Sequence, residues 1–450
     1  MSDLKSFIKQ AALLALPIAM QNLLTSCGSL VDTAMIVPLG DVAISAVGVA
    51  SRLTFLTNVI GFGFCSGMST MIAQYWGVGD RRGIHRSYGV ALSVSFSLSL
   101  VLLSLFYIFT GFFIGLFGPA ANVAATAVDY LKIVAFSIPF VMYSSVTCAA
   151  LRSTEKVFVP LLSSSISVCV NVFCNYCLIF GNCGMPQLGV IGAAYGTVIG
   201  CGVQAIIVFA FVVFGKNPIK ASLKETFGFG RVFAKNFFKT ASPVLLNECL
   251  WAIGANGYTM VLARQSTEKY AGYTIFETVQ QLVFVFFVGL CTAAAIMIGK
   301  SVGRGDNEGA YRDAKRFLIM TPLFGLLLGG TMALLRNYLL MLFDFETETA
   351  RGTASALILF YGLWIVIRMI PYTSICGIFR AGGDTKTGCK IELATMYALC
   401  LPCVITAGIL LKLPFFWIVV IMFAADDIPK GILCIKHFVS KKWMINLTRR

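Results

Sequence analysis

The sequence predicts an all-α polytopic membrane protein whose twelve transmembrane helices form two pseudo-symmetric six-helix bundles. Three observations predict it. The 450 residues are 58% hydrophobic and 12% charged, with a mean hydropathy of +0.84, whereas a soluble chain is about a quarter charged. The apolar residues gather into runs long enough to cross a bilayer. The two halves of the chain match each other. With so few charges no water-facing surface can be coated, which excludes a soluble enzyme, a disordered chain and a secreted scaffold.

Twelve runs qualify as spans: 11–37, 46–76, 88–113, 124–148, 158–181, 188–214, 240–263, 273–298, 315–336, 352–378, 389–411 and 414–436. They read as helices, because a lone span must satisfy its own backbone hydrogen bonds. They lack the alternation of a β-barrel. The first run follows Lys5 and Lys9, continues through Pro17 and shows no clear small-residue cleavage site, so it reads as a retained span. With the N-terminus inside, 27 of the 35 Lys and Arg fall on the inner side, five fall outside, and Arg52, Lys132 and Arg368 lie within spans. That bias puts both termini in the cytoplasm of a cell-membrane protein. The net charge of +15 therefore points to the membrane surface and not to nucleic acid. The basic gap at 215–239 reads as a linker, giving lobes at 1–225 and 226–450.

A shift of 226 residues aligns Pro17 with Pro243, Gly63 with Gly289 and Cys65 with Cys291. It also aligns G-x-G-D-x-x-G-x-x-R at Gly77–Arg86 with the same pattern at Gly303–Arg312. A shift of 228 aligns Arg152 with Arg380. Six helices per half make parallel repeats, an arrangement common in secondary transporters, with the substrate path at the repeat interface. Gly299-Lys300-Ser301 is the nearest approach to a nucleotide loop. Ala294 replaces its first glycine and no strand precedes it, so ion-gradient coupling remains and no enzyme is expected. Of fifteen cysteines, Cys174/Cys177 and Cys400/Cys403 form CxxC pairs. With only His85 and His437 elsewhere, they read as apolar packing, and no metal or cofactor is expected.

Asp32 stands within an apolar span, where a charge is expensive and functional by default. Asn171 and Asn175 share one face of the fifth helix at i, i+4 spacing, and Thr197 lies at similar depth on the sixth. Such oxygens can hold a proton or a desolvated Na⁺; a satisfied polar cluster between packed helices is the other reading of the asparagines and threonine. Their second-half counterparts are Tyr258, Leu399, Cys403 and Ala425, so ion coupling is placed in the first half. Glu248 either attracts a cationic substrate or takes a proton, or else pairs with Arg368. Glu277 is a second acid of that half, or lies near the outer interface. Asp426 and Lys430 read as a structural i, i+4 pair. One proton moving down ~150 mV releases roughly 3.5 kcal/mol, enough for about 2.5 decades of a neutral solute.

Ser29-Leu-Val-Asp-Thr33, Asn171-x-x-x-Asn175-Tyr176, Gly189-Val-Ile-Gly-Ala-Ala-Tyr-Gly-Thr197, Pro243-x-x-x-x-Glu248 and Arg380-Ala-Gly-Gly-Asp-Thr385 resemble the motifs of the multidrug and toxic compound extrusion (MATE) family, prokaryotic type. The resemblance covers nearly the whole chain. It implies two six-helix lobes in a V shape and export of drug-like, cationic or amphipathic compounds in exchange for H⁺ or Na⁺. It implies a cation site at Asp32, Asn171, Asn175 and Thr197, with Glu248 as a second-lobe acid. Where some members carry an acid about eleven positions before the arginine matching Arg380, this chain has Met369. A lipid-linked precursor flippase is the alternative function, and a monomer with a small organic substrate in a lipid bilayer is expected.

Overall fold

Twelve long helical segments coincide with the twelve apolar runs in the computed structural model, which describes residues 2–345 and 347–449. In chain order they are α1 Ser2–Ile36, α2 Asp41–Val78, α3 Arg81–Ile108, α4 (Ala121–Val134 and Ser137–Ser153, bent by 49°), α5 Phe158–Phe180 and α6 Val190–Phe214 in the first half. The second half holds α7 Arg231–Ala263, α8 Thr267–Arg304, α9 Asn307–Leu334, α10 Glu348–Tyr372, α11 beginning at Thr385–Thr395, and α12 Phe415–Val439. Among the described residues, nine helices are each long and apolar enough to cross a membrane, and the bent α4 pair makes a tenth. The other two, α7 and α12, are equally long but carry Arg231, Lys235 and Lys239, and Asp426, Asp427 and Lys430.

The duplication read from the loops reappears in the helix lengths. Helices α2 and α8 both have 38 residues, α3 and α9 both 28, and α6 and α12 both 25. The shared loop motif has a physical role in each copy. Gly79 and Gly305 end α2 and α8 in the left-handed region, at φ 75° and 81°, where a side chain costs roughly 1 kcal/mol or more. Asp80 and Asp306 then cap the next helices, accepting from the backbone N–H of Gly83 at 3.1 Å and of Gly309 at 2.8 Å. The motif turns the chain sharply between two long spans and satisfies the exposed donors of the second.

The halves differ in regularity. Helix α10 runs on through a π-helical stretch at Thr373–Phe379, and α11 contains two more at Met396–Cys400 and Thr406–Leu410. Pro371 and Pro402 lie beside them and deprive the ladder of N–H donors.

Two compact units result: Met20–Ala241, and Ser242–Arg450 together with Met1–Ala19. Sequence reasoning divides the lobes at 225/226 instead. The boundaries fall beside Pro17 and Pro243, two repeat-equivalent prolines inside α1 and α7. In the unit built on the second half, the stretch before Pro17 packs closely on α8: a Cβ on Gly289 would meet Ala15 O at 2.8 Å and Ala19 Cβ at 3.0 Å. Phe7 lies edge-on to Phe317 at 5.0 Å, under the Arg316 guanidinium at 5.2 Å. In the unit built on the first half, the stretch before Pro243 mirrors this, since a Cβ on Gly67 of α2 would meet Ala241 Cα at 2.5 Å. Phe233 stacks on Tyr75, and Phe238 meets Phe64 edge to face. Each half thus lends the start of its first helix to the unit of the other. A basic linker cannot reveal this, because the exchange depends on packing between α1 and α8 and between α7 and α2.

Asp80→Ala and Asp306→Ala are each expected to cost about 1 kcal/mol through loss of a helix cap, with additive effects in the double variant because each caps its own helix in a different unit. Thermal unfolding of the purified protein in detergent measures this, and Asn at either position should restore most of the loss.

Candidate functional site

Helix α1 carries a polar stripe through its apolar span. Thr25, Ser29 and Thr33 each donate to the carbonyl four residues earlier, at 2.9, 3.3 and 3.0 Å. This back-bonding satisfies a hydroxyl without any neighbour. Asp32 has no such recourse, because an ionised carboxylate only accepts. Its partner comes from α5: Asn175 Nδ2 donates to Asp32 Oδ1 at 2.8 Å, and the same amide nitrogen lies 3.5 Å from Asn171 Oδ1. Among the described residues no basic side chain pairs with Asp32. Asn175 is 1% exposed, and its Oδ1 has no hydrogen-bond partner among the described residues. The site therefore presents one uncompensated carboxylate beside one unused amide acceptor.

The asparagines are held by the closeness of α5 and α6. Gly192, Gly196 and Gly200 recur every fourth residue on α6, a small-residue seam of the kind that lets spans approach backbone to backbone. A Cβ on Gly192 would meet Leu178 O at 2.5 Å; on Gly196 it would collide with Asn175 Oδ1; on Gly200 it would meet Asn171 Cβ at 2.9 Å. Ser167 Oγ donates to Gly200 O at 2.8 Å and pins the register. Thr197, next on α6, donates to Ala193 O at 3.0 Å and makes no direct bond to Asp32. The buried phenol of Tyr130, on α4, lies near Thr197 and in the field of Asp32. Sequence reasoning passes over Tyr130. The available signal is a hydroxyl in the outer half of the fourth run, at a depth similar to that of Thr197.

The second half treats its charges differently. Glu248 does not pair with Arg368. It meets Arg380, Nη2 to Oε1, at 2.6 Å. Arg368 instead lies 3.8 Å from Asp427 and 5.0 Å above the Phe423 ring, and Trp364 donates to Asp427 at 2.8 Å. Arg380 thus meets α7 and Arg368 meets α12. Asp426 and Lys430 form the expected i, i+4 pair at 2.8 Å, and Lys430 also lies 3.8 Å from Glu392. Lys430 is 5% exposed, so it belongs to the protein interior and not to the surface charge that orients the chain. Glu277 sits beside the Tyr273 hydroxyl on its own helix. The counterparts Tyr258, Leu399, Cys403 and Ala425 bring no carboxylate to the position of Asp32. All fifteen cysteines, both CxxC pairs included, are free thiols. Among the described residues no three His, Cys, Asp or Glu side chains group as a metal site.

Against known proteins, the MatE family model matches in two blocks, residues 17–177 and 243–406, one in each half. The probable multidrug resistance protein NorM of Thermotoga maritima is 24% identical, covering 97% of this chain and 93% of that one. The probable multidrug resistance protein YoeA of Bacillus subtilis is 23% identical, covering 88% and 85%. Among solved structures, the outward-facing conformation of a multidrug resistance MATE family transporter of the MOP superfamily superimposes with a TM-score of 0.88 at 15% identity, covering 96% of both chains. The eukaryotic MATE transporter AtDTX14 gives 0.85 at 16% identity, covering 98% and 97%. With its twelve helices in two bundles and a family match in each half, the chain belongs to the MatE family.

Proposed function

We propose that the protein is a secondary antiporter that expels drug-like or cationic amphipathic compounds from the cytoplasm in exchange for H⁺ or Na⁺. Loading of the ion at Asp32 drives release of the substrate outward. The observation that carries this reading is a carboxylate in an apolar span with an amide donor beside it and no basic partner. Such a group is short of one positive charge, and a proton or an alkali cation supplies it. A proton on Asp32 would turn an acceptor into a donor with Asn171 Oδ1 in reach of the same amide. A sodium ion would draw on the Asp32 carboxylate, the Asn171 and Asn175 amide oxygens and the Thr197 hydroxyl, an all-oxygen set suited to a hard cation. The other expected properties belong to the same proposal: a monomer in the cell membrane, both termini cytoplasmic, small organic substrates, and no bound cofactor. The curated relatives named for multidrug resistance support the substrate class.

The Glu248–Arg380 pair favours a structural role for that acid. Both partners are largely buried, and removing one leaves the other charge stranded. Glu277, by contrast, has a tyrosine and no base beside it, and remains the second-half acid with freedom to act on a cationic substrate.

Three outcomes are expected. Asp32→Asn should reach the membrane in normal amount and lose efflux of a dye-like cation from loaded proteoliposomes; normal efflux by that variant refutes the coupling role. In the same vesicles, a pH gradient and a sodium gradient imposed separately identify the ion. Gly196→Ala, which pushes on Asn175 Oδ1, should lower the efflux rate at least tenfold while leaving the unfolding temperature within a few degrees. Glu248→Gln should behave in the opposite way: a stability loss of about 3 kcal/mol, read by thermal unfolding, with residual efflux that still responds to the gradient.

A further inference from the structure

The first half contains a cavity of about 220 Å³ that is separate from the Asp32 cluster and lined by Gln21, Asn58, Ser144, Arg152 and Gln204, with Phe62 in its wall. No carboxylate lines it. Arg152 donates from Nη1 to Gln21 Oε1 at 3.1 Å, a neutral partner. Gln21 and Gln204 in turn both donate to Ser164 Oγ, at 2.9 and 3.0 Å. Ser144 is 3% exposed, lines the cavity, and its Oγ has no hydrogen-bond partner among the described residues.

The repeat shows what this place looks like when it is closed. Arg152 corresponds to Arg380, Gln21 to Asn247, Asn22 to Glu248 and Ser164 to Glu392. In the second half Arg380 is neutralised by Glu248 at 2.6 Å, and Asn247 donates to Glu392 at 2.8 Å. The space is filled as well. Asn58 and Ser144 correspond to Phe284 and Tyr372, whose rings pack with centroids 4.7 Å apart. The first half keeps the arginine but lacks both acids and both rings. A partly buried guanidinium with no carboxylate beside it favours an anionic partner, and here it borders open volume that carries the unpartnered Ser144 hydroxyl.

We propose that this cavity binds an anionic oxygen group, a carboxylate or a phosphate, from a molecule that enters it. The occupant supplies the negative charge that Glu248 supplies to Arg380, with Arg152 as the ion partner and Ser144 Oγ as a hydrogen-bond donor. An apolar or aromatic body attached to the anion fits against Phe62. The source is either a small organic acid or the headgroup of an anionic lipid, and both present the same chemistry to Arg152. The inference concerns binding and does not depend on the antiport reading.

The test is equilibrium binding to the purified full-length protein in detergent, with radiolabelled salicylate and inorganic phosphate as probes and short-chain phosphatidylglycerol as competitor and, labelled, as a third probe. Saturable binding of at least one probe is expected. Arg152→Gln should weaken it at least tenfold, Arg152→Lys should recover most of it, and Ser144→Ala should also weaken it roughly tenfold or more, the worth of one hydrogen bond to a charged group. Asn22→Glu, which builds the second half's own counter-charge beside Arg152, should abolish it and raise the unfolding temperature. Should Arg152→Gln fail to fold, Asn22→Glu decides alone. Salicylate binding marks an organic acid as the occupant, and binding by phosphatidylglycerol alone marks a lipid headgroup. No saturable binding of any of the three, or equal binding by the wild type and the decisive variant, overturns the proposal. No gradient is applied, so binding can fail while dye export stands, and export can fail while binding stands.

Discussion

A carboxylate in oil without a base beside it is the constraint on which the first half depends. Desolvating an ion costs several kcal/mol even after relaxation, and one amide hydrogen bond to a charged group returns only about 1.5–3. The remainder has to come from water, a proton or a cation. The geometry around Asp32 follows from that need. Asn175 must be fixed where its amide meets the carboxylate, and this fixes α5 against α6 closely enough that Gly196 has no room for a methyl group beside the amide oxygen. The glycine seam thus shapes the surroundings of Asp32 as well as the packing.

The second half solves the same electrostatic problem in another way. Its buried arginines and lysine are answered by carboxylates of the same unit: Arg380 by Glu248, Arg368 by Asp427, and Lys430 by Asp426. Closed pairs of this kind need nothing from outside. A buried pair adds little net stability compared with apolar packing, yet it is strongly destabilising when one partner is lost. It therefore suits a part of the structure that keeps one charge state. The open charges, Asp32 and Arg152, both lie in the first half and have opposite signs. One suits a cation and the other an anion.

Much of this was legible in the sequence, and the reason differs from residue to residue. The i, i+4 spacing of Asn171 and Asn175 survives folding because α5 is a regular helix, and Asp32 stood out because nothing else in its run is charged. The loop motif announced the repeat because a left-handed glycine followed by a capping aspartate is local chemistry. The partner of Glu248 was not legible. Arg368 and Arg380 are twelve residues apart on one continuous segment, but a π-helical stretch lies between them, and a face cannot be extrapolated through turns that hold more than 3.6 residues. Tyr130 was hidden for a different reason: its role exists only through the approach of α4 to α6. The exchange of helix starts at Pro17 and Pro243 was out of reach because proline marks where a helix can bend and not which neighbour it then meets.

The duplication also separates what the fold requires from what the function requires. Two copies of one architecture within one chain share temperature, membrane and synthesis, so each serves as a control for the other. Several positions identical in both copies do backbone work: Gly79 and Gly305 terminate, Asp80 and Asp306 cap, Pro17 and Pro243 mark the exchanged segments. Some of the positions that differ fall where charge meets oil: Asp32 against Tyr258, Asn175 against Cys403, Asn22 against Glu248, Ser164 against Glu392. Packing alone gives no cause for these exchanges, since Asn to Glu and Ser to Glu both change charge at a locus that the two halves build with the same helices. The halves therefore differ in how their charges are answered: the second pairs its own internally, and the first leaves Asp32 and Arg152 with only neutral partners among the described residues.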